Sequence, residues 1–460
     1  MNDPKRIVII GCSGTGAIAA LSLKKLRGTL DVTIIREPDE QGLLTRCATP
    51  YICCGEVMVE PSYKDDSIFA AANIKLVNVR AEHVDNKQKI VTTADGKTYE
   101  YDKLVLATGA KPIMPPVPGV DLPGVFTLRK SGDAVNIQHW INAKRVKSIA
   151  LIGAGPIGLE VAYLMVRCGM KVHLVDMVEH VLQQVLDPDI SAPVERYIID
   201  HGVDLRLQQS LVRITGDREI NGVTLSSGEN IQAQMALISV GVRPNSELAE
   251  QAGLQVGRLG LKVNKYLQTS DPDIYAGGDL IEYPHWVTGK PAVGRLRPNA
   301  VIAGRVIARN ILEATIEYPG FINGFATKFF DKSIAGTGLT QQQAAEEGIE
   351  TISVVQSSDS MHSMMRGREP YTVKLVFNKH TKRIIGGQIV SDSECPVKHI
   401  DVITTAIRGR LTVLDMATLC CAGQPELSSD PGKEPIALAA EQALNALNPP
   451  DRTETSGTRH

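Results

Sequence analysis

The chain has 460 residues, 43% of them hydrophobic and 4% aromatic, and its 49 basic and 51 acidic residues give a formal net charge of -2. At about 150 residues per domain, this length suggests about three domains. The near-neutral charge gives no electrostatic reason to expect nucleic acid as a partner. No run of about 18 apolar residues is present that could span a membrane. The eight cysteines include no C-x-x-C pair, and a strand pattern begins at Arg6 where a secretory signal would stand. We therefore expect a cytoplasmic protein.

The first motif in the chain is a strand followed by a glycine-rich turn. An apolar run at 7–10 leads into Gly11-Cys12-Ser13-Gly14-Thr15-Gly16 and then into a helix rich in Ala and Leu. Such glycines allow a tight turn and let a pyrophosphate approach the backbone at the helix N-terminus. A second strand at 32–35 precedes Arg36 and Glu37. The residue that meets the ribose is Glu37 or, with a shifted strand register, Arg36. We assign this unit to the ADP half of a flavin.

The same pattern recurs in the middle of the chain. A strand at 148–152 leads into Gly153-Ala154-Gly155-Pro156-Ile157-Gly158, and a second strand at 172–175 is followed by Asp176. An acidic residue at this place accepts hydrogen bonds from ribose hydroxyls. Because Met177 follows, with no arginine to take a 2′-phosphate, the pattern favours NAD(H) over NADP(H).

Each copy also closes with a short apolar strand that ends in a small residue and a glycine. These strands are predicted at 103–109 and 235–241. A glycine at such a point lets the backbone pass close to a bound cofactor. The repeat predicts an α/β fold with two Rossmann-like dinucleotide-binding domains.

Cys47 is the cysteine for which the sequence predicts redox chemistry. Pro is tolerated in the first turn of a helix and rarely later, so Pro50 places Cys47 at or near the start of a short helix that ends at Gly55. Free backbone N–H groups there, together with Arg46, favour a nucleophilic thiolate. The alternative is a buried structural cysteine, which is common for free thiols.

The other cysteines are predicted to differ in role from Cys47. Cys53 lies about 9 Å of helical rise from Cys47, beyond the roughly 7 Å that a disulfide spans between Cα atoms. Cys47 is therefore expected to work alone. The adjacent pair Cys420 and Cys421 is left open between ordinary burial and resolution of a mixed disulfide on Cys47.

With these motifs in view, the chain resembles the pyridine nucleotide-disulfide oxidoreductases, which use FAD and NAD(P)H. It is most similar to the branch of NADH oxidase, NADH peroxidase, coenzyme A disulfide reductase and NAD(P)H persulfide reductase. The motifs that carry the resemblance cover most of the chain: Gly11 to Gly16, Arg46 to Tyr51, Ala107 to Gly109, Gly153 to Gly158, Ile274 to Asp279, and Gly336 to Thr340.

The resemblance implies a domain organisation in which the FAD-binding domain is split by an inserted NAD-binding domain. The FAD-binding domain would comprise residues 1–120 and 245–325, and the NAD-binding domain residues 121–244. A C-terminal α+β dimerisation domain would follow at 326–446, with a disordered tail at 447–460. A homodimer is the expected assembly.

The resemblance also implies a function and a set of site residues. Electrons would pass from NADH through FAD to a small disulfide, persulfide or polysulfide at Cys47, and no metal site is expected. The implied cofactor-binding residues are Gly11, Ser13, Gly14, Gly16, Glu37, Ala81, Ala107, Thr108, Gly109, Gly153, Gly155, Pro156, Ile157, Gly158, Glu160, Asp176, Gly241, Asp279 and Ala300.

Two departures from the family bear on the substrate. The members that reduce peroxide or oxygen carry a His where this chain has Gly14, which argues against oxidase or peroxidase as the main activity. Coenzyme A disulfide reductases carry Tyr residues in the segment that matches 423–429, and this chain has none there.

Other hypotheses are a diaphorase subunit of an anaerobic electron-transfer complex and a flavin-bound regulatory protein without turnover.

Overall fold

The computed structural model describes residues 4–39, 43–44 and 46–448. The chain divides into two compact units, one formed by residues 1–181 and 195–321 and the other by 182–194 together with the chain from 322 onward. The predicted tail lies, from residue 449, outside the described residues. None of the described helices is long and apolar enough to cross a membrane.

The first unit opens with the following helices and strands: β1 (Arg6–Ile10), α1 (Gly14–Leu26), β2 (Asp31–Ile35), β3 (Leu43–Leu44), α2 (Thr49–Cys53), α3 (Val59–Ser62), β4 (Tyr63–Lys64), α4 (Ser67–Ala71), β5 (Lys75–Val77), β6 (Ala81–Asp85), β7 (Ile90–Thr93), β8 (Thr98–Glu100), β9 (Lys103–Leu106) and β10 (Ala110–Pro112). Its middle part contains β11 (Val125–Thr127), α5 (Ser131–Lys144), β12 (Ser148–Ile152), α6 (Pro156–Arg167), β13 (Lys171–Val175), the end of α7 (Pro188–Asp200), whose residues up to 194 belong to the second unit, β14 (Val203–Arg206), β15 (Leu211–Thr215), β16 (Gly222–Leu225), β17 (Asn230–Gln232), β18 (Met235–Ile238) and β19 (Val242–Pro244). Its last part contains α8 (Glu247–Gln251), β20 (Leu261–Lys262), β21 (Ile274–Ala276), β22 (Ile281–Pro284), β23 (Pro291–Ala292) and α9 (Arg297–Ile311).

Two five-stranded parallel sheets form the centre of this unit, and they have matching strand orders. The first has the order β21-β9-β1-β2-β5 and the second β11-β18-β12-β13-β14. Four of the five residues of β1 and of β12 are buried, as expected for parallel strands that are covered on both faces. The predicted closing strands are present as β9 and β18, and each pairs with the strand that precedes the glycine turn of its copy. The predicted Rossmann-like repeat is confirmed.

Strand register makes the two copies comparable residue by residue. Ile10 of β1 pairs with Ile35 of β2, and Ile152 of β12 pairs with Val175 of β13. Arg36 therefore occupies in the first copy the position that Asp176 occupies in the second.

The second unit is α+β. Its elements after residue 322 are β24 (Phe325–Phe329), β25 (Lys332–Gly338), α10 (Gln341–Glu346), β26 (Thr351–Asp359), β27 (Pro370–Asn378), β28 (Ile384–Ser391), α11 (Ile400–Gly409), α12 (Val413–Ala417) and α13 (Pro435–Leu447). The strands form one antiparallel sheet in the order β24-β25-β28-β27-β26. Residues of β27 and β28 fill its core, and the buried Lys374 of β27 is neutralised by Asp187 and Asp189 of the same unit.

Candidate functional site

The two glycine turns have the same geometry. Gly11 and Gly153 have φ of +104° and +117°, a region that favours glycine. A Cβ on Gly16 would lie 1.9 Å from the carbonyl oxygen of Gly11, and a Cβ on Gly158 would lie 1.9 Å from that of Gly153. No side chain fits at the first or the last glycine of either turn, so these glycines are required for the helix to start directly against its strand. Both turns therefore fit the phosphates of a dinucleotide.

The second turn is built around Asp176. Its Oδ2 accepts a hydrogen bond from the Ala154 N–H at 2.6 Å, and its Oδ1 accepts from the Val178 N–H at 3.3 Å. Gly155 caps α6 and has open space around its Cα, and Pro156 is the first residue of the helix. The arrangement fixes a carboxylate beside an open helix N-terminus.

The corresponding position of the first turn carries a guanidinium instead of a carboxylate. Arg36 is 4% exposed, and its Nη1 and Nη2 donate to the carboxylate of Asp66 at 2.8 and 2.5 Å. Its Nε donates to Asn78 Oδ1 at 2.7 Å. Glu37 is exposed and lies 3.8 Å from the Nε of Arg80. The register thus places Arg36 at the position equivalent to Asp176, and the ribose contact predicted for Glu37 or Arg36 stays a prediction.

A cluster of charged residues lies next to the first turn. Asp279 follows β21 in a 3-10 turn, and its Oδ2 accepts from Arg129 Nη2 at 2.5 Å. Arg46 donates through Nη1 to the Arg129 carbonyl at 2.7 Å and through Nε to Ser13 Oγ at 3.5 Å. The predicted residues Ser13 and Asp279 are therefore joined through Arg46 and Arg129.

The start of α9 packs on the start of α1. Thr15 Oγ1 donates to the carbonyl oxygen of Ala300 at 3.0 Å. A Cβ on Gly14 would lie 2.9 Å from the Cβ of Ala300, and one on Gly304 would lie 2.6 Å from the Thr15 carbonyl. This close approach brings the predicted residues Gly14 and Ala300 together.

The segment that follows β9 connects the two copies of the dinucleotide-binding repeat, both of which lie in the first unit. Thr108 Oγ1 donates to the Asn245 carbonyl at 2.9 Å, and Asn245 Nδ2 donates to the Thr108 carbonyl at 2.8 Å. Ala107 is buried. Gly109 and Gly241 both have positive φ, and each precedes a strand of the antiparallel β10–β19 pair. The two predicted closing glycines therefore lie where the chain passes from one copy of the repeat to the other.

The remaining predicted residues are more scattered. Ala81 begins β6 and is buried. Ile157 and Glu160 lie on α6, where Ile157 is an exposed apolar residue close to the helix start and Glu160 is half-buried. The cofactor-binding roles of these three residues stay predictions.

Cys47 lies in the 3-10 turn Arg46–Ala48, directly before α2, and is exposed. Pro50 stands in the first turn of α2, and Gly55 follows the end of that helix with φ of +74°. The predicted local structure is thus present. The hydrogen bonds of Arg46 hold this turn beside the first glycine turn.

Burial disfavours the thiolate form of the neighbouring cysteines. Burial raises the pKa of Cys53 to about 12, and burial likewise raises the pKa of Cys54. In the second unit, burial and then the carboxylate of Glu434 raise the pKa of Cys421 to about 11. Among the cysteines of the Cys47–Cys54 segment, Cys47 is therefore the one that combines exposure with a place at the first glycine turn.

Three contributors to this site were missed by the sequence. Arg129 comes after β11, and nothing in its local pattern distinguishes it from a surface arginine. Asp66 was not singled out because its partner Arg36 was considered only as a replacement for an acid. Arg295 has a buried Nε without a hydrogen-bond partner in the described part of the chain, and burial lowers the pKa of its guanidinium.

The described residues contain no group of three or more His, Cys, Asp or Glu side chains that could hold a metal ion. Among the described residues, an exposed thiol lies in a turn that is hydrogen-bonded to the first glycine turn.

Comparison with known proteins agrees with this geometry. Residues 5–302 match the pyridine nucleotide-disulphide oxidoreductase family, and residues 325–434 match the dimerisation domain of that family. The chain is 32% identical over 454 residues to a protein of Methanocaldococcus jannaschii named NADH oxidase, covering 96% of this chain and 99% of that protein. It is 34% identical over 421 residues to a Pyrococcus furiosus protein named NAD(P)H sulfur oxidoreductase (CoA-dependent), covering 90% and 94%.

A solved structure of a NAD-dependent persulfide reductase from A. fulgidus superimposes with a TM-score of 0.91 at 31% identity, covering 96% of this chain and 83% of that one. Proteins of the matched family use FAD and NAD(P)H. Together, the repeated dinucleotide cradles and these matches show that the chain belongs to the pyridine nucleotide-disulphide oxidoreductase family.

Proposed function

We propose that this enzyme passes electrons from NADH through FAD to a small disulfide, persulfide or polysulfide that reacts at Cys47. The observation that carries the proposal is the hydrogen bonding of Arg46, which fixes the exposed Cys47 turn beside the first glycine turn. The sulfur substrate is also the one named for the relatives of P. furiosus and A. fulgidus.

The residues of the first copy of the repeat fit FAD. Gly11 and Gly16 let α1 start directly against β1, so that its N-terminus would face the pyrophosphate, and the turn that carries Asp279 approaches the start of α1. When bound, FAD supplies the electron-pair exchange between the nicotinamide and the sulfur. Asp279, oriented by Arg129, would accept a hydrogen bond from a ribitol hydroxyl. Ala300 would lie against the ring system of the flavin.

Cys47 performs the sulfur chemistry in this proposal. Its thiolate attacks one sulfur of the substrate and forms a new S–S bond, and the other sulfur leaves with the electron pair of the broken bond. Only the thiolate is nucleophilic, and the exposed position of Cys47 leaves its sulfur accessible to the substrate. An electron pair that originates from NADH then breaks this new S–S bond, which regenerates the Cys47 thiolate and releases the bound sulfur as a second reduced product.

The second copy of the repeat, with the glycine turn at 153–158, would hold NADH. Asp176 offers its carboxylate to the ribose hydroxyls and would repel a 2′-phosphate, and Glu160 and Ile157 of α6 would lie towards the nicotinamide. We therefore propose NADH as the preferred donor.

We further propose the domain organisation that the sequence suggested. Residues 1–120 and 245–325 would bind FAD, residues 121–244 NADH, and residues 326–446 would form the dimer. The presence of β21 in the first sheet, although it follows the second unit in the chain, supports the split domain. The family match at 325–434 supports a homodimer, and eight free cysteines fit a cytoplasmic protein.

The experiment that tests the function is an anaerobic NADH titration of the purified FAD-bound protein and of Cys47→Ser. If Cys47 exchanges electrons with FAD, the wild type shows a long-wavelength thiolate–flavin absorption band that Cys47→Ser lacks. Cys395→Ser, which removes another exposed cysteine, is the matched control and keeps the band. A band of equal intensity in Cys47→Ser would contradict the proposal.

NADH oxidase is the second candidate, because the relative of M. jannaschii has that name. Gly14, at the position where oxygen- and peroxide-reducing members carry a His, gives no acid or base for that reaction. Oxygen consumption as fast as sulfur-substrate reduction would favour the oxidase.

A further inference from the structure

A second pair of thiols lies apart from Cys47, where two helices end. Cys54 is the C-terminal cap of α2, and Cys168 is the C-terminal cap of α6. The two helices pack against each other, and the Sγ of Cys168 lies 4.0 Å from the Cys54 carbonyl oxygen. Burial, and after it the nearby Cys53 and Cys168 thiols, raise the pKa of Cys54.

An ion pair flanks this contact. Arg167 Nη1 lies 2.9 Å from Glu56 Oε1, so the residue before Cys168 is joined to the segment that follows Cys54. On the inner side, Cys54 Sγ lies 4.0 Å from the Sδ of the fully buried Met165. The ion pair and the sulfur packing hold the chain ends of α2 and α6 together on both sides of the thiols.

We propose that Cys54 and Cys168 form a reversible disulfide, separate from Cys47, in response to low-molecular-weight disulfides. The pair is suited to stepwise oxidation, since Cys168 is exposed and Cys54 is only partly so.

The reaction is a double thiol–disulfide exchange. The Cys168 thiolate attacks one sulfur of the small disulfide RSSR, forming a mixed disulfide and releasing RS⁻, which takes the proton that Cys168 has lost. Cys54 then loses its proton and attacks the Cys168 sulfur, so that the protein disulfide forms and a second RSH leaves. The thiol pair is oxidised by one electron pair and RSSR is reduced by the same pair.

The position of the bond gives it a consequence. The helix that ends at Cys54 starts directly after the Cys47 turn, and the helix that ends at Cys168 starts at the second glycine turn. A disulfide between their ends would fix the spacing of the segment that carries the sulfur chemistry and the segment that would hold NADH. We infer that oxidation slows turnover and that thiol reduction restores it.

The test uses the FAD-bound Cys47→Ser protein, so that its outcome does not depend on the function proposed for Cys47. The protein is incubated with oxidised glutathione, and free thiols are then blocked before trypsin digestion. Cleavage after Arg46, Lys64, Arg167 and Lys171 releases the two relevant peptides, 47–64 and 168–171. The expected product is the linked pair of peptides, lighter by two hydrogens than the sum of the reduced peptides.

Variants then locate the bond. The linked peptides should persist when Cys53→Ser is added and should disappear when Cys168→Ser is added. Glutathione bound to Cys168 without a link, or a link that requires Cys53, would overturn the proposal.

A kinetic measurement tests the consequence. Reduction of a dye by NADH should fall after oxidation of the Cys47→Ser protein and recover with dithiothreitol, whereas the protein with both Cys47→Ser and Cys168→Ser should show no change. A linked protein with unaltered dye reduction would refute the effect on turnover.

Discussion

Replacement of Asp176 gives the most informative test of how the second glycine turn selects its nucleotide. The carboxylate has two tasks in the structure. Its Oδ2 accepts from the Ala154 N–H at 2.6 Å inside the turn, and its remaining lone pairs are free to accept ribose hydroxyls. Asp176→Ala removes both tasks, and Asp176→Asn keeps an oxygen for the Ala154 N–H but removes the negative charge.

The size of the effect follows from the hydrogen bonds that are lost. A hydrogen bond to a charged group contributes about 1.5–3 kcal/mol, and each 1.4 kcal/mol corresponds to about a tenfold change in affinity. Loss of the ribose contact should therefore weaken NADH binding by roughly 10- to 150-fold in Asp176→Ala. NADPH should be affected in the opposite sense, because removal of the carboxylate also removes its repulsion of the 2′-phosphate.

The assay is kcat/KM for NADH and for NADPH with a dye acceptor, measured for the wild type and both variants. We expect the wild type to prefer NADH and both variants to lose most of that preference, with Asp176→Asn retaining the better NADH affinity. Equal losses for NADH and NADPH would mean that the substitution deforms the turn and that Asp176 does not read the ribose. A wild type that prefers NADPH would refute the reasoning outright.

The remaining predictions concern packing and charge. Arg36→Gln removes the hydrogen bonds of a buried guanidinium to the partly exposed carboxylate of Asp66 and should lower the free energy of unfolding by about 2 kcal/mol. The exposed Arg80→Gln should change it by less than about 1 kcal/mol. Urea denaturation measures both, and equal losses would contradict a structural role for the Arg36–Asp66 pair. Gly158→Ala places a Cβ 1.9 Å from a backbone carbonyl oxygen, so it should abolish NADH binding while FAD content is kept, and unchanged NADH affinity would argue against it. Burial opposes ionisation of Asp187, but the backbone N–H of Gln341 and further hydrogen bonds outweigh it and lower its pKa. The ionised Asp187 carboxylate therefore stabilises the fold above the unfolded-state pKa of about 3.9, and this stabilisation is lost as pH falls through the lower folded-state pKa. The free energy of unfolding of Asp187→Asn should thus depend less steeply on pH in the acid range than that of the wild type. An unchanged pH dependence would count against this explanation.

The sequence predicted the parts of the site that are determined locally. The glycine turns, the closing strands and the turn at Cys47 each follow from short patterns, because tight turns and helix starts restrict which residues can occupy them. The two copies supported each other, since a strand, a turn and a second strand occurred twice, with the first and last glycines of the turn at the same spacing.

Contacts between distant parts of the chain could not be predicted in this way. The pairing of Arg129 with Asp279 joins residues that are 150 positions apart, and no local pattern indicates it. The choice between Arg36 and Glu37 depended on the register of β2 against β1, which a shift of one residue would have reversed. The contact of Cys54 with Cys168 depends on how α2 and α6 pack.

The central claim is that Cys47 reacts with the sulfur substrate while the flavin and nicotinamide sites work independently of it. The most direct measurement compares NADH-driven reduction of polysulfide with NADH-driven reduction of a dye in the same preparation of Cys47→Ser. We predict that the variant loses polysulfide reduction and retains dye reduction at close to the wild-type rate. Polysulfide reduction that continues at the wild-type rate without the thiol at position 47 would contradict the account.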